Sequence, residues 1–128
     1  MNKRKQFQVK MPNKPGQLAG LGEALGNKGI NIIAIAGLGE ETPFVVIVTE
    51  KEEETRNVLK EMGLKFKERE PLMVKIPDKP GELGKFAKRL ADAKINIESM
   101  YLLGKEGEMG VIGFTVDNTE GTKKILGL

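Results

Sequence analysis

The chain of 128 residues contains no cysteine, no histidine and no tryptophan. Because it has no cysteine it forms no disulfides, which is the pattern of cytoplasmic proteins. Histidine and cysteine supply the usual proton shuttle and thiolate nucleophile of enzymes, and the single serine, Ser99, lies in no nucleophile-elbow motif. We therefore predict a cytoplasmic protein that is not an enzyme and that carries no cofactor.

Long apolar runs and an excess of one charge are also missing. No apolar stretch approaches the ~18–20 residues needed to cross a bilayer, so no membrane contact is predicted. Lys3, Arg4 and Lys5 account for the net charge of +3, because 18 basic and 18 acidic residues remain without them. We interpret these three as a solvated basic tip. The acidic cluster within residues 50–54 is interpreted as a solvated helix start, and no metal site is predicted.

What the chain does contain is an internal repeat. PNKPGQL at residues 12–18 returns as PDKPGEL at residues 77–83, at an offset of 65. Alignment at this offset gives eleven identical positions and ends in Ile-Asn-Ile in both copies. Self-similarity at a fixed spacing indicates two copies of one structural unit. We predict a first domain over residues 1–70 and a second over residues 71–128.

Each copy contains the same series of predicted elements. Residues 7–11 alternate apolar and polar side chains, as a half-buried strand does. After the proline–glycine turn, Leu18, Leu21 and Leu25 recur at helical spacing. Two strands follow in the first copy at residues 30–38 and 43–49, and a closing strand at residues 64–70 ends it. The helix between them begins with the acids at 52–54 and is carried by Thr55, Val58, Leu59 and Met62.

The order strand–helix–strand–strand–helix–strand is the ferredoxin-like arrangement, with both helices on one face of an antiparallel sheet. We predict an α+β fold of two such βαββαβ units. Residues 126–128 correspond to residues 62–64 of the first copy. The second unit is therefore predicted to lack its last strand.

Two features predict contacts beyond a single unit. Residues 30–36 and 44–48 are apolar on both faces apart from Asn31, whereas a sheet with helices on one side is usually polar on the other. The strand missing from the second unit would lie beside residues 71–76 and leaves that edge open. We predict that the other repeat or a second chain covers these surfaces, and that the protein is a homo-oligomer, in the simplest case a dimer.

Two further patterns concern the helices. Thr49 with Glu52 predicts a capping box where the second helix begins, and Asp117 with Glu120 is a related capping signal in the copy. The glycines of the first helix do not form a dinucleotide-binding fingerprint. We interpret them as allowing the helix to approach the sheet closely; they stand at positions 20, 22, 26 and 29.

The repeated corner suits a small anionic or zwitterionic ligand. Glycine at the start of a helix allows close approach to unpaired backbone N–H groups, and the helix dipole favours a carboxylate or phosphate there. Asn13 and Asn31 offer amide donors and acceptors, and we expect the helix to return the chain so that both lie at one end of the unit. Asp78 and Asn96 have the same spacing in the copy, where the carboxylate of Asp78 favours an ammonium group.

KPGxL after a strand, then a helix, then G/K-I-N-I resembles the ACT domain, the small regulatory module of amino-acid-biosynthetic enzymes. The resemblance covers nearly the whole chain twice and implies a tandem ACT protein with no catalytic domain attached. Effectors of this family bind at interfaces between ACT units, at the loop after the first strand and the beginning of the second. The implied ligand-binding positions are Asn13, Pro15, Gly16, Gln17, Leu18, Asn31 and Ile32, and in the copy Asp78, Pro80, Gly81, Glu82, Leu83, Asn96 and Ile97.

The resemblance also limits the ligand. Members of the family that sense serine use a histidine two residues before the first asparagine, and this chain has Met11 and Ile76 at those positions. The resemblance therefore implies an amino-acid site without implying serine.

These patterns favour a regulatory protein that senses a free amino acid at ACT–ACT interfaces and changes its pairing or partner interaction. One alternative is a ligand-free docking subunit of an amino-acid-biosynthetic enzyme or transcription factor. A remote alternative is an RNA-binding module, but such modules stack bases on aromatics where this chain would present Gln8 and Lys10. The expected partners are a free amino acid, a second copy and a biosynthetic enzyme, not nucleic acid.

Overall fold

The computed structural model describes residues 4–128, and Lys3 of the basic tip lies outside the described residues. They divide between Glu70 and Pro71 into two compact units, the first unit and the second unit. The first unit consists of β1 (Gln6–Lys10), α1 (Gln17–Asn27), β2 (Ile32–Leu38), β3 (Phe44–Thr49), α2 (Glu52–Glu61) and β4 (Phe66–Arg69). The second consists of β5 (Leu72–Pro77), α3 (Glu82–Asp92), β6 (Ile97–Glu106), β7 (Met109–Val116) and α4 (Thr119–Leu126).

The first unit has the complete ferredoxin-like order, and the predicted fold class is confirmed. Its four strands are antiparallel neighbours in the order β2-β3-β1-β4, so that β1 pairs with both β3 and β4. Phe7 and Val9 of β1 are fully buried in the core, while Gln8 and Lys10 alternate with them and lie on the other face. The period-two pattern of β1 therefore separates a helix-covered face from an open face.

The second unit has three strands within the described residues, in the order β5-β7-β6. β5 pairs only with β7 there and lies at an edge of its sheet. Coverage of this edge by another repeat or a second chain stays a prediction.

Each unit has its own hydrophobic core. Leu25 and Leu90 occupy the same repeat position and both have no exposed surface. Burying a leucine side chain stabilises a fold by ~1.5–3 kcal/mol. The buried residues are Phe7, Val9, Met11, Leu21, Leu25, Ile30, Val45, Ile47, Val58 and Leu59 in the first unit and Leu72, Phe86, Leu90, Ile95, Ile112, Phe114 and Val116 in the second.

The strands that are apolar on both faces are buried unevenly. Val46 and Val48 alternate with core residues and so lie on the open face of the first sheet, yet they are 5% and 0% exposed. Ile35 and Leu38 of the edge strand β2 are 50% and 53% exposed. β2 thus presents an apolar edge to solvent, and its predicted coverage by a partner remains to be tested.

Both predicted capping signals are wrong. α2 begins after Lys51, which makes no side-chain cap, and the hydroxyl of Thr49 instead lies 2.6 Å from that of Thr55 in a buried hydrogen bond. Burial competes with capping here, because an inward-facing hydroxyl needs a partner in the core. α4 is capped by Asn118, whose Oδ1 accepts from the N–H of Gly121 at 2.9 Å.

The glycines of the first helix do not serve close packing, contrary to expectation. A methyl group added at Gly20, Gly22 or Gly26 would meet no atom within 4 Å in the first unit or elsewhere in residues 4–128. Gly29 follows the helix with φ of 69°, a backbone conformation that glycine adopts without strain. The three helical glycines therefore lower the helix propensity of α1 without a packing gain.

One ion pair joins α2 to β4 and gives a pH-dependent contribution to stability. Arg56 donates from Nε and Nη2 to the carboxylate of Glu68 at 2.7 and 2.6 Å. These hydrogen bonds hold the pKa of Glu68 below its ordinary value of 4.5. A carboxyl whose pKa is lowered by folding stabilises the protein above its unfolded pKa and loses this stabilisation as the pH falls through the folded pKa.

We therefore expect Glu68→Gln to lower the free energy of unfolding by about 1 kcal/mol at pH 7, since the pair is bidentate and half-buried. The difference from the wild type should shrink towards zero as the pH falls through the lowered pKa of Glu68, because the wild-type carboxyl then becomes protonated. Urea denaturation at a series of pH values measures it. A difference that is constant from pH 7 to pH 2 would contradict this assignment.

Candidate functional site

The first corner, residues 12–18, is a rigid turn that carries the chain from β1 into α1. The N–H of Lys14 donates to the carbonyl of Pro12 at 2.9 Å, and that of Gln17 donates to the carbonyl of Lys14 at 3.3 Å. Gly16 has φ of 88°, in the left-handed region. A residue with a side chain is strained there, which explains the glycine.

The start of α1 offers two unused hydrogen-bond donors. Within residues 4–128, the N–H groups of Leu18 and Ala19 donate to no acceptor, and α1 has no side-chain cap. The N–H groups of Leu83 and Gly84 are likewise unpaired in that part of the chain, at the second corner, residues 77–83. Such donors at the positive end of a helix suit a carboxylate or phosphate.

A cavity of about 280 Å³ lies between the first corner and the loop that joins β2 to β3. Its volume is just below the usual range of ~300–1,000 Å³ for ligand pockets, which suits a small metabolite. We call it the first-corner cavity. Its lining residues are Met11, Pro12, Asn13, Lys14, Gln17, Leu18, Gly37, Leu38, Gly39, Pro43, Phe44 and Val45.

Asn13 fixes the corner to the opposite wall of this cavity. Its side-chain Nδ2 donates to the carbonyl of Gly39, and its Oδ1 accepts from no donor in residues 4–128. A side chain at position 39 would place its Cβ 2.9 Å from that Oδ1, so Asn13 would have to shift. The amide oxygen of Asn13 is left as an acceptor for a ligand N–H.

The charge and polarity of the cavity differ between its two sides. Lys14 is the charged residue among those that line it, and Leu18, with one of the unused N–H groups of α1, also lines it. The remaining wall is mostly apolar and includes Leu18, Leu38 and Phe44. The arrangement therefore accommodates an anionic group at the helix start and an apolar group against the hairpin.

The predicted pairing of Asn13 with Asn31 at one end of the unit is wrong. Lys10, at the end of β1, pairs with Phe44, whereas Ile32, next to Asn31, pairs with Thr49. The two ends are five residues of β3 apart, about 17 Å at ~3.3 Å per residue. α1 runs antiparallel to β1, so the chain re-enters the sheet at the opposite end, and one small ligand does not reach both amides within the unit.

The second corner has different chemistry. The carboxylate of Asp78 is 2.8 Å from the ammonium of Lys105, and its N–H donates to the carbonyl of Glu108 at 2.8 Å. The hydrogen bond to Asp78 raises the pKa of Lys105. An ammonium group was expected at Asp78, and a lysine of the chain itself provides it. This exposed pair holds the second corner to the β6–β7 hairpin.

The other predicted residues of the second unit have local roles. Pro80 and Gly81 form the turn into α3, with Gly81 at φ of 86°, and Leu83 is 53% exposed. The carboxylate of Glu82 is 3.1 Å from the ammonium of Lys85 within the same helix.

Asn96 and Ile97 lie at the opposite end of the second sheet from the second corner, as Asn31 and Ile32 do in the first unit. Ile97 pairs with Val116, whereas Pro77 pairs with Met109. The N–H of Asn96 donates to Oδ1 of Asp117 at 2.9 Å. The N–H of Asp117 donates in return to the carbonyl of Asn96 at 3.1 Å, so the backbone of Asn96 is tied to the β7–α4 junction.

Of the residues predicted for the first corner, Asn13, Gln17 and Leu18 line the cavity, and Pro15 and Gly16 form the turn that leads into α1. The sequence reading missed the opposite wall. The predicted topology already implied this wall. In it the first strand pairs antiparallel with the third, so the end of the first strand lies beside the loop that precedes the third. The missed residues are Gly37, Leu38, Gly39, Pro43, Phe44 and Val45.

Solved structures with the same fold include the protein BT0572 from Bacteroides thetaiotaomicron, with a TM-score of 0.84 and 20% identity over 97% of this chain and 86% of that one. The regulatory subunit of aspartate kinase from Thermus flavus gives 0.73 and 19%, over 97% of this chain and 88% of that one. The ligand-free regulatory subunit of aspartate kinase from Thermus thermophilus gives 0.70 and 17%, over 97% and 90%. At these identities the likeness shows a shared fold.

No curated protein matches the chain significantly. No helix within residues 4–128 is long and apolar enough to cross a membrane. The family model that describes an ACT domain pair matches residues 3–128. Since this match spans both copies of the repeat, the chain belongs to the family of ACT domain pairs.

Proposed function

We propose that this ACT domain pair is a regulatory, non-catalytic protein that senses a free amino acid in the first-corner cavity. The observation that carries the proposal is the combination of unused helix N–H groups, a lysine and an apolar wall around one cavity of about 280 Å³. Two structural neighbours are regulatory subunits of aspartate kinase, an enzyme of amino-acid metabolism, which supports the same class of function. The cytoplasmic location stays a prediction.

Each part of an amino acid has a partner in this proposal. The α-carboxylate accepts from the N–H groups of Leu18 and Ala19 and pairs with Lys14. The α-ammonium donates to Oδ1 of Asn13. The side chain packs against Leu38 and the rest of the apolar wall, which has no acidic residue to accept a lysine or arginine side chain. We therefore expect aliphatic amino acids to bind better than charged ones.

The regulatory output follows from the exposed rim of the cavity. Leu18 and Leu38 are both 53% exposed, so a bound amino acid leaves apolar surface for a second molecule to cover. A second copy of the chain is the simplest occupant, in agreement with the predicted homodimer. A ligand that binds more tightly to the covered state shifts the protein towards it by the difference in binding free energy. A biosynthetic enzyme would sense this change in pairing.

The exposed apolar edge of β2, with Ile35 and Leu38, favours a second candidate, a docking subunit that binds a partner protein and no amino acid. The two candidates differ in one measurable property. Only the first predicts that a single amino acid stabilises the isolated chain.

A thermal-shift screen of the twenty amino acids tests the proposal. A ligand at a hundredfold excess over its Kd stabilises the native state by ~2.7 kcal/mol. For a folding unit of about 60–70 residues this corresponds to a rise in Tm of about 10–20 °C. Aliphatic amino acids should give the largest shift, and glutamate and lysine little or none. A flat response to all twenty would reject the sensing function and leave the docking subunit.

A further inference from the structure

A second recess lies in the first unit, on the open face of its sheet along β1 and β4. Residues on this face alternate with core residues, so that Gln8 and Lys10 of β1 face away from the helices. On the neighbouring strand, Phe66 packs against the core, and the flanking Lys65 and Lys67 face away from the helices. All three lysines are exposed, and together we call them the basic face.

The register places two lysines of the basic face, Lys10 and Lys65, opposite each other. Gln8 pairs with Lys67, and one step further the N–H of Lys10 donates to the carbonyl of Lys65 at 2.9 Å. Directly opposed residues on one face have Cβ atoms ~4.5–5.5 Å apart, and like charges there destabilise the sheet. The basic face therefore places like charges side by side at the edge of the sheet.

No acidic side chain forms an ion pair with these lysines within the part of the chain that the structure describes. β3 contributes Phe44 and Val46 to the same face, and Glu41, which shares an adjacent recess with Lys10 and Lys65, forms no ion pair with either. The repeat provides a contrast, because Lys75, the counterpart of Lys10, is paired with Glu106. The same sheet position is thus neutralised in one unit and left cationic in the other.

The lysines surround a recess of about 180 Å³ that is lined by Gln8, Lys10, Lys65, Phe66 and Lys67. At ~30 Å³ per water molecule the recess has the volume of about six waters, which is enough for a phosphoryl group. Three ammonium groups and one amide supply donors from several directions. Positions that place like charges next to each other, with no ion pair to compensate, are expected to be functional.

We propose that the basic face binds the phosphoryl group of a small phosphorylated metabolite. The bound anion offsets the Lys10–Lys65 repulsion and accepts hydrogen bonds from the lysine side chains. This site shares no lining residue with the first-corner cavity. Phosphoryl binding and amino-acid binding can therefore be tested independently.

Calorimetric titration of the full chain with pyrophosphate at low ionic strength tests the proposal. Lys65→Gln and Lys67→Gln are each expected to lower the affinity about tenfold, which corresponds to ~1.4 kcal/mol. Lys28→Gln, at the far end of α1, changes the net charge equally and should leave the affinity unchanged. Equal losses in all three variants, or no binding to the wild type, would overturn the proposal.

A second measurement distinguishes a phosphoryl-binding site from lysines that only protect an edge strand against aggregation. Lys65→Gln should raise the Tm of the ligand-free protein by a few degrees at low salt, and the gain should disappear at 1 M salt, where charges are screened within ~3 Å. Aggregation of this variant with unchanged pyrophosphate affinity would indicate edge protection and overturn the site. Tighter binding of a single-stranded oligonucleotide than of pyrophosphate would overturn the assignment to a small metabolite.

Discussion

Replacing Leu18 with glutamate is expected to weaken amino-acid binding at least a hundredfold, or ~2.7 kcal/mol, with little effect on folding. The new carboxylate would lie at the start of α1, where it competes with the α-carboxylate of the ligand for the unused N–H groups and repels it. Leu18 is 53% exposed, so its loss leaves the core intact. An acidic residue in the first turn of a helix stabilises it by ~0.3–1 kcal/mol. Binding is measured by calorimetry with the best aliphatic ligand of the screen.

The repeat supplies a matched control, because Leu83 occupies the same position of the second corner and is also 53% exposed. Leu83→Glu should leave binding unchanged, since Asp78, the counterpart of Asn13, is already paired with Lys105 and is not left as an acceptor for the ligand ammonium. Equal losses from both variants would place ligands at both corners. Full binding by the Leu18→Glu protein would exclude the first-corner cavity as the site. Leu18 is a cleaner target than Gly16, whose positive φ makes any side chain strained.

Truncating Phe114 to alanine is expected to unfold the second unit. Phe114 is completely buried and makes an edge-to-face contact with Phe86 at 5.2 Å between ring centroids. Phe→Ala substitutions in cores cost ~3–5 kcal/mol. A unit of about 60 residues has a total stability of ~3–9 kcal/mol, at ~0.05–0.15 kcal/mol per residue. Tyr101, the single tyrosine of a chain without tryptophan, lies in this unit, and its fluorescence reports the unfolding.

Phe7→Ala is the matched variant in the first unit, because Phe7 is also fully buried and its ring lies 5.9 Å from that of Phe66. We propose that the two units are separate folding domains. Phe7→Ala should then lower the helical circular dichroism signal at moderate urea while the fluorescence transition of Tyr101 stays in place. Loss of both signals together in either variant would show that the units fold as one.

The fold itself was predictable from the sequence because it depends on local patterns. The alternation in β1 and the helical spacing of Leu18, Leu21 and Leu25 are set by side-chain periodicity. Because the sequence is repeated, each predicted strand or helix was indicated twice, and an ambiguous element in one copy was supported by its counterpart in the other. Three predicted details were wrong, namely the two capping signals and the role of the helical glycines. Each depended on contacts or empty space that a one-dimensional pattern does not contain.

One side of the candidate site, the first corner, was predictable from the sequence, and the opposite wall of the cavity was not. The first corner was found because proline and glycine fix local backbone angles, and these are properties of neighbouring residues. The opposite wall, with Gly39 against Asn13, depends on which strands pair, and the separation of Asn31 from the corner depends on the direction in which β2 enters the sheet.

The sequence by itself determined the duplication, the two α+β units and the turn that opens α1. Only the tertiary structure decided that Asp78 is paired with Lys105, that Lys10 opposes Lys65, and that the first corner closes on a hairpin loop. The physical reason is the range of the interactions. Backbone angles and periodicity act over a few residues, whereas charge pairing and cavity walls join residues that are distant in the chain and become neighbours only through strand register.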